Sequence, residues 1–418
     1  MIIWQKGLNN VLEYTLALLL ILCCNSMIFR SDIIDSGGFS EYYLFITISV
    51  IVCIYLALNN PLKLNSKLKR MILFLFSLSL VIFVIQAVIV SMAVATEYFF
   101  RFILVFLSLV LYEAVNVYKG TQYVILGKYV KIVTILSLIS FILWVFGSLL
   151  NILPFSYVNT DWSSGQLGLF LPVKSYFNLM FESQGYATIF GLQLIRNCGI
   201  FPEAPMYGFV LVIALALNEF YVKDNSKLVF VILLVTIFST TSYTAIACAV
   251  IVLLMKMIVY LKEIRSNILK LLWLILIVFC IVIGGGILQT LIMEKTVTNI
   301  ISTNRRASDL VICLQTFVKT TIGCGFYNQP AYTNNLSGST SGLFRMLGEM
   351  GILLGWLPFY FVIKNIKYSP NMVKTAFFLI CFLIMYIFTN LPYTPLVLLL
   401  FSISFTIGSY NYQKELKK

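Results

Sequence analysis

The sequence predicts an all-α polytopic membrane protein of about twelve transmembrane helices with two long extracytoplasmic loops. Three observations carry that expectation. Hydrophobic residues make up 60% of the 418 and charged residues only 11%, well under the roughly 25% with which a water-soluble globule covers its surface. Mean hydropathy is +0.96, and the apolar residues gather in long runs separated by short Lys/Arg clusters. Those clusters then set the topology, because basic residues accumulate in cytoplasmic loops.

A span needs roughly 17–25 mostly apolar residues. Runs of that kind lie near 11–29, 42–58, 71–94, 99–118, 131–150, 206–222, 271–293, 342–363, 375–389 and 395–410. The first is too long, and too uniformly followed by others, for a cleaved signal peptide. Between Lys227 and Lys262 an apolar stretch is interrupted at Ser239-Thr240-Thr241-Ser242, so it reads as one long helix or two short ones. Charge decides. Twenty of the 29 basic residues share one side only if 228–261 crosses and returns. The reading is a single integral membrane domain of twelve helices with both termini cytoplasmic, and with 151–205 and 294–341 as the long outer loops. Connections beyond about 12–15 residues are usually functional or disordered. The aromatic-rich 151–205 argues against disorder and is expected to fold back onto the membrane as a partly re-entrant cap. The chemistry is expected outside.

Composition excludes other chemistries. There is no His, which removes Ser-His-Asp triads, HExxH zinc sites and His-ligated haem. Of nine Cys, six lie in apolar runs and no CxxC occurs, against a zinc ribbon or a thioredoxin-like site. No metal or cofactor is expected. The net charge of +13 reads as positive-inside loops rather than a nucleic-acid surface.

Nine basic residues run against that topological bias: Arg30, Arg101, Lys174, Arg196, Lys295, Arg305, Arg306, Lys319 and Arg345. Arg grips phosphate well, because its planar fork donates two parallel hydrogen bonds and stays charged. Several Arg at the outer membrane edge would suit a diphosphate on a lipid carrier. Arg196, Arg305 and Arg306 are read as functional; Arg345, about one turn inside its span, is an intramembrane charge and a candidate for substrate binding with Lys174 and Lys319. Arg30, Arg101 and Lys295 are read as surface pairs or interfacial anchors. Glu203 stands between Pro202 and Pro205 where the chain re-enters the membrane. It is either a base toward a substrate hydroxyl or the ion-pair partner of Arg196. Ten aromatic residues in 151–204 would stack on sugars, but they barely exceed the chain's 15%. Gly351-Ile352-Leu353-Leu354-Gly355 reads as a small-xxx-small helix-packing motif, and Gly284-Gly285-Gly286 as a close approach or kink. The Ser239–Thr244 hydroxyls read as groups that satisfy freed backbone at a hairpin tip.

In order and spacing, the C-terminal 230 or so residues resemble the Wzy-type polysaccharide repeat-unit polymerases of the O-antigen polymerase/ligase superfamily. An Arg-x-x-Gly-Ile-Phe-x-Glu-x-Pro-like stretch (Arg196, Gly199, Ile200, Phe201, Glu203) enters a helix, and a Ser/Thr-rich break follows at Ser239–Thr244. Then come an Arg-led outer loop, Arg305-Arg306-Ala307-Ser308-Asp309, the run Thr321–Phe326, and Ser339–Gly342 opening the next helix. The chain departs from the family in carrying Ala245 where a Gly is usual and Pro202 where an aromatic is usual. The resemblance implies a metal-independent glycosyltransferase of the C-type architecture, on the outer face of the bacterial plasma membrane. It would join undecaprenyl-diphosphate-linked oligosaccharides, serving as donor and acceptor, into capsular, O-antigen or exopolysaccharide. A chain-length regulator and a flippase are the implied partners; nucleic acid is not one. Arg196, Arg305 and Arg306 match the family's essential loop arginines and would hold the diphosphates, with Glu203 orienting or deprotonating the acceptor hydroxyl.

Two rivals stand beside this reading. Ligases of the same superfamily usually carry a functional His in the large outer loop, and this chain has none. A lipid-oligosaccharide flippase or a twelve-helix carrier matches in helix number. Carriers, however, predict a long central cytoplasmic loop where 223–227 is short, and flippases generally lack two long outer loops.

Overall fold

A computed structural model describes the chain except for residues 1, 34–38, 59–65, 120, 122, 161, 163–170, 190–191, 222–225, 276–299, 330–340, 370 and 417–418. The described residues are mostly helical and divide into two compact units. One comprises Met1–Ile132, Ser308–Pro370 and Thr389–Lys418; the other comprises Val133–Ala307 and Asn371–Phe388.

The first unit is built around a long interrupted helix. Helices α1 (Ile2–Leu22), α2 (Phe39–Leu58) and α3 (Ser66–Ile89) precede it. Ser91 then caps α4 (Met92–Tyr98) by accepting from the Val94 amide at 3.2 Å. A π-helical turn, Phe99–Leu104, passes α4 into α5 (Val105–Lys119), and π-bulges of this kind often mark functional positions. The last helix of the chain, Pro395–Leu416, and α2 both pack on α5.

The second unit starts with α6 (Val124–Leu143), which begins in the first unit and ends in a π-helical turn at Trp144–Leu149. Three helices follow: α7 (Ala204–Phe220), α8 (Lys227–Ser239) and α9 (Tyr243–Glu263). The far end of α8 returns to the start of α7, where the Asn197 amide donates to the Ser239 carbonyl at 3.1 Å. The start of α9 meets Gly208, and Lys256 near its other end reaches Glu219 near the end of α7 at 3.2 Å. Helix α8 therefore runs back along α7, and α9 runs forward again. The interruption at 240–242 is a hairpin, as its charge pattern required. Hydroxyls hold it together, because Ser239 and Thr240 each donate to a carbonyl three residues earlier at 2.7 Å, in the way freed backbone groups are satisfied in an apolar setting.

The described residues of 151–205 depart from the all-α expectation by forming strands. Strands β1 (Ser156–Thr160), β2 (Leu171–Tyr176) and β3 (Met180–Phe181) form an antiparallel sheet, and β4 (Tyr186–Ile189) pairs with β5 (Leu192–Ile195). Alternation explains it: in β1 Val158 and Thr160 are buried while Ser156, Tyr157 and Asn159 are not, the period of a half-buried strand. Phe177 and Asn178 both have positive φ in the turn between β2 and β3, as a primed hairpin turn requires. The Ser175 hydroxyl donates to Asn178 Oδ1 at 2.9 Å and accepts from its amide at 3.2 Å, which secures the turn. Tyr176 and Met180 pack on Leu143 and Trp144 at the end of α6. Gly147 makes room, since a Cβ there would lie 2.6 Å from the Tyr176 ring.

The second expected outer loop also differs. Residues Ile300–Lys319 form helix α10. Its buried Asp309, Cys313 and Thr316 recur at helical spacing. Helices α11 (Gly342–Leu354) and α12 (Leu357–Lys367) meet at an 84° bend. Gly351 makes the break, with φ +53 inside α11, and a Cβ there would collide with the Thr321 carbonyl. The Gly351–Gly355 pair thus serves a bend and not a flat helix-packing face. Helices α13 (Met372–Phe388) and α14 (Pro395–Leu416) complete the chain. Gly284-Gly285-Gly286 and most of the 271–293 span lie outside the described residues.

Among the described residues, four helices are long and apolar enough to cross a membrane: Leu68–Ile89, Met92–Val117, Val124–Leu149 and Tyr243–Leu261. The bent pair makes a fifth. Among the described residues this falls short of the expected twelve, because six further apolar helices run only 10–17 residues, below the ~20 that cross a bilayer untilted.

Candidate functional site

The sequence-identified candidates divide between the units. In the second unit they lie where β5 hands over to α7. Asn197 anchors this passage: its Nδ2 donates to Ser239 Oγ at 2.9 Å, and its Oδ1 accepts from the Gly199 amide at 3.0 Å. Gly199 has φ +53, and a Cβ there would meet the Tyr207 ring at 2.7 Å, so glycine is required twice over. Tyr207 stacks on Phe201 at 5.6 Å between centroids, and its hydroxyl bonds Ser140 at 2.6 Å. Cys198 is buried, and burial pushes its thiol up to about 11, so it is not a thiolate nucleophile at neutral pH.

Arg196 sits on this frame. Its Nη1 donates to Gln184 Oε1 at 3.2 Å and its Nη2 to the Thr241 carbonyl at 3.5 Å. That carbonyl is presented by the hairpin tip, where Thr241 takes φ +51. The Nε of Arg196 is buried and has no partner. Gln184 Oε1 also accepts from the Ala204 amide at 3.0 Å, so it caps α7 from a distance. Glu203 occupies the N-cap position of α7 with extended backbone, yet its side chain makes no capping bond. Its carboxylate accepts from Trp162 Nε1 at 3.1 Å instead. The expected alternative, an Arg196–Glu203 ion pair, is not the arrangement: the guanidinium is turned to Gln184 and Thr241. Gln184 also lines a cleft of about 290 Å³ walled by Leu171, Pro172, Glu182, Tyr186 and Ile195. Lys174 is held 3.8 Å from Glu182 and 4.8 Å over the Phe155 ring. Glu182 accepts from the Tyr176 hydroxyl at 2.9 Å.

Ala245, where the resemblance leads one to expect glycine, meets Gly208 on α7; a Cβ on Gly208 would stand 2.7 Å from that of Ala245. The close approach is kept, with the small residue moved to the partner helix. Arg305 and Arg306 fall in the second turn of α10 and not in a loop.

In the first unit, Arg345 lies in the first turn of α11, buried at 8% exposure. Its Nε donates to Glu349 Oε1 at 2.8 Å and its Nη1 to Asn390 Oδ1 at 3.3 Å, while its guanidinium stands 4.8 Å over the Tyr327 ring. Arg101, from the π-turn, stands 5.3 Å from the centroid of that same ring. Arg101 is also 3.8 Å from Glu97, and Arg30 donates to Asn25 at 3.0 Å. Burial pushes the Tyr327 phenol up, opposed by the charges of Arg101, Arg345 and Arg30. The loop carrying Tyr327 docks on α11 through the Cys324 and Gly325 amides, which donate to the Gly348 and Glu349 carbonyls at 3.1 and 3.0 Å. Lys319 ends α10 and is exposed. Lys295 lies outside the described residues.

Sequence reasoning missed Gln184, Tyr327 and Asn390, whose roles depend on tertiary contacts, and had Trp162 only as one of ten aromatics, not as the partner of Glu203. Glu349 was legible, since it stands four residues from Arg345 on one helix. Comparison of the chain with models of protein families, with curated proteins and with solved structures gives no match.

Proposed function

We propose that this protein is a multi-pass glycosyltransferase of the repeat-unit polymerase type, joining undecaprenyl-diphosphate-linked oligosaccharides on the outer face of a bacterial plasma membrane. The observation that carries the reading is the juncture at the start of α7. There a half-buried arginine keeps its buried Nε–H unpartnered, and the carboxylate of Glu203, seven residues on, is left uncommitted to helix capping. A diphosphate oxygen would take the free Arg196 donor, since charge-assisted bonds of this kind are the strong ones. Glu203, steadied by Trp162, would take the proton of the acceptor hydroxyl as that oxygen attacks the anomeric carbon of the donor sugar. The bond from that carbon to the lipid diphosphate then breaks, and Arg196 holds the departing anion, which is transition-state stabilisation by a fixed charge. Arg305 and Arg306 would serve the second diphosphate, and Lys174 the rest of the substrate. Twelve spans belong to this reading: the five long ones, six shorter apolar helices and 271–293, with both termini cytoplasmic.

The test is the glycan ladder made by cells lacking the gene, complemented with wild type or Arg196→Ala at equal membrane expression. Wild type is expected to restore the ladder and Arg196→Ala to stop at a single repeat unit. If deletion instead traps lipid-linked oligosaccharide inside the cell, the protein is a flippase and the polymerase reading falls.

A further inference from the structure

A second polar cluster lies in the first unit, among residues with no part in the proposed reaction. Glu113 on α5 is fully buried, and neither carboxylate oxygen has a hydrogen-bond partner. Glu13 on α1 acts on it electrostatically, and both carboxyls act on the buried phenol of Tyr112. The counter-charge at hand is Lys128, near the start of α6, and it is already engaged. Its ammonium bonds Glu13, donates to Asn10 Oδ1 at 2.7 Å and to the Asn10 carbonyl at 3.3 Å, and lies 4.9 Å over the Tyr14 ring. Lys119, at the end of α5, faces Glu13, and α2 brings the Cys53 thiol beside Glu113.

A bare carboxylate is not held in apolar surroundings without hydrogen bonds or an opposite charge. Both ammoniums, Lys128 and Lys119, are directed to Glu13, so Glu113 is left without an opposite charge of its own among the described residues. A dehydrated metal cation would need a shell of oxygens. Around Glu113 stand a phenol and a thiol, and no group of three or more Cys, Asp or Glu among the described residues is placed to hold a metal ion. A proton needs only one oxygen.

We propose that Glu113 is a proton-binding site, filled at neutral pH, whose proton leaves only when the packing of α1, α2 and α5 opens. It gives the chain a titratable group through which pH biases the packing at this end of the unit. The proposal is independent of the sugar chemistry above.

The experiment is an infrared difference spectrum of the full-length protein in lipid nanodiscs at neutral pH, wild type minus Glu113→Gln. The expected result is the carbonyl stretch of an unbonded carboxylic acid, shifting in D2O and unmoved by added NaCl. Carboxylate bands in its place, or their appearance on adding NaCl, would overturn the proposal, the second by showing a sodium site. Should Glu113→Gln fail to fold, wild type alone decides. Dicyclohexylcarbodiimide, which reacts with protonated carboxyls shielded from water, is expected to add its mass to the peptide carrying Glu113. Labelling of other carboxyls but not of Glu113 would sink the idea.

Discussion

Arg196 is positioned less by charge than by one amide. Gln184 Oε1 accepts from Arg196 Nη1 and from the Ala204 amide, so one oxygen fixes the guanidinium and closes the start of α7. Losing that acceptor leaves a helix-terminal N–H and a guanidinium N–H unsatisfied together, and each such group costs about 1–3 kcal/mol when buried. Gln184→Ala is therefore expected to destabilise the protein by roughly that amount, less whatever water recovers at this half-buried position. Gln184→Glu keeps the acceptor, adds charge to the bond with Arg196, and is expected to unfold close to wild type. Thermal unfolding of the two variants in detergent checks this. Equal losses would mean that the amide nitrogen, and not the oxygen, holds the joint. None of this was legible in the sequence, where Gln184 has no motif, whereas Arg196 stood out as a basic residue against the topological bias and Glu203 as an acid between Pro202 and Pro205 at a helix entry.

At the level of elements, apolar run length placed most helices, and the charge pattern decided that the break at 239–242 is a hairpin. What escaped were the elements whose signal is short. β2 and β3 are joined through Phe177 and Asn178, a turn without the glycine that usually marks one, so the sheets in 151–205 read as loop. Helix α10 was masked by its own polarity, since Ser302, Asn304, Arg305 and Arg306 interrupt the apolar pattern before Asp309, Cys313 and Thr316 turn inward. Glycines separate two physical roles at this scale. Gly351 must hold φ +53 against the Thr321 carbonyl, and a left-handed residue with a Cβ costs about 1–2 kcal/mol before any collision is counted. Gly127, inside α6, has nothing within 4 Å of where its Cβ would stand. Gly351→Ala is expected to lose more than 2 kcal/mol or fail to fold, because the bend between α11 and α12 depends on it. Gly127→Ala is expected to gain about 0.5–1 kcal/mol from helix propensity. Parallel melting curves decide, and a neutral Gly351→Ala would show that the bend is held from elsewhere.

At the scale of the whole molecule, the open quantity is which apolar helices cross the bilayer. The sharpest case is α7, whose 17 residues span ~26 Å at 1.5 Å per residue, a few Å short of a hydrocarbon core of about 30 Å. Hydrophobic mismatch of that size is accommodated by local thinning at modest cost, so length alone does not disqualify it. Charge favours crossing: Lys223 and Lys227 follow α7 closely, as cytoplasmic flanks do. Between Gly185, exposed with open space around it, and Lys227, exposed at the start of α8, α7 is the only apolar helix among the described residues. If the short helices cross, the two positions face opposite sides; if only the long ones do, they face the same side. Single cysteines report this cleanly, because all eight described native cysteines are buried and a membrane-impermeant maleimide requires an exposed thiolate. Gly185→Cys is expected to label in intact spheroplasts, and Lys227→Cys only after the membrane is opened. Labelling of both from outside would remove α7 from the list of spans and with it the twelve-helix topology. It would also put the Arg196 frame, which is built on the first turn of α7, at a helix that lies on the membrane instead of entering it.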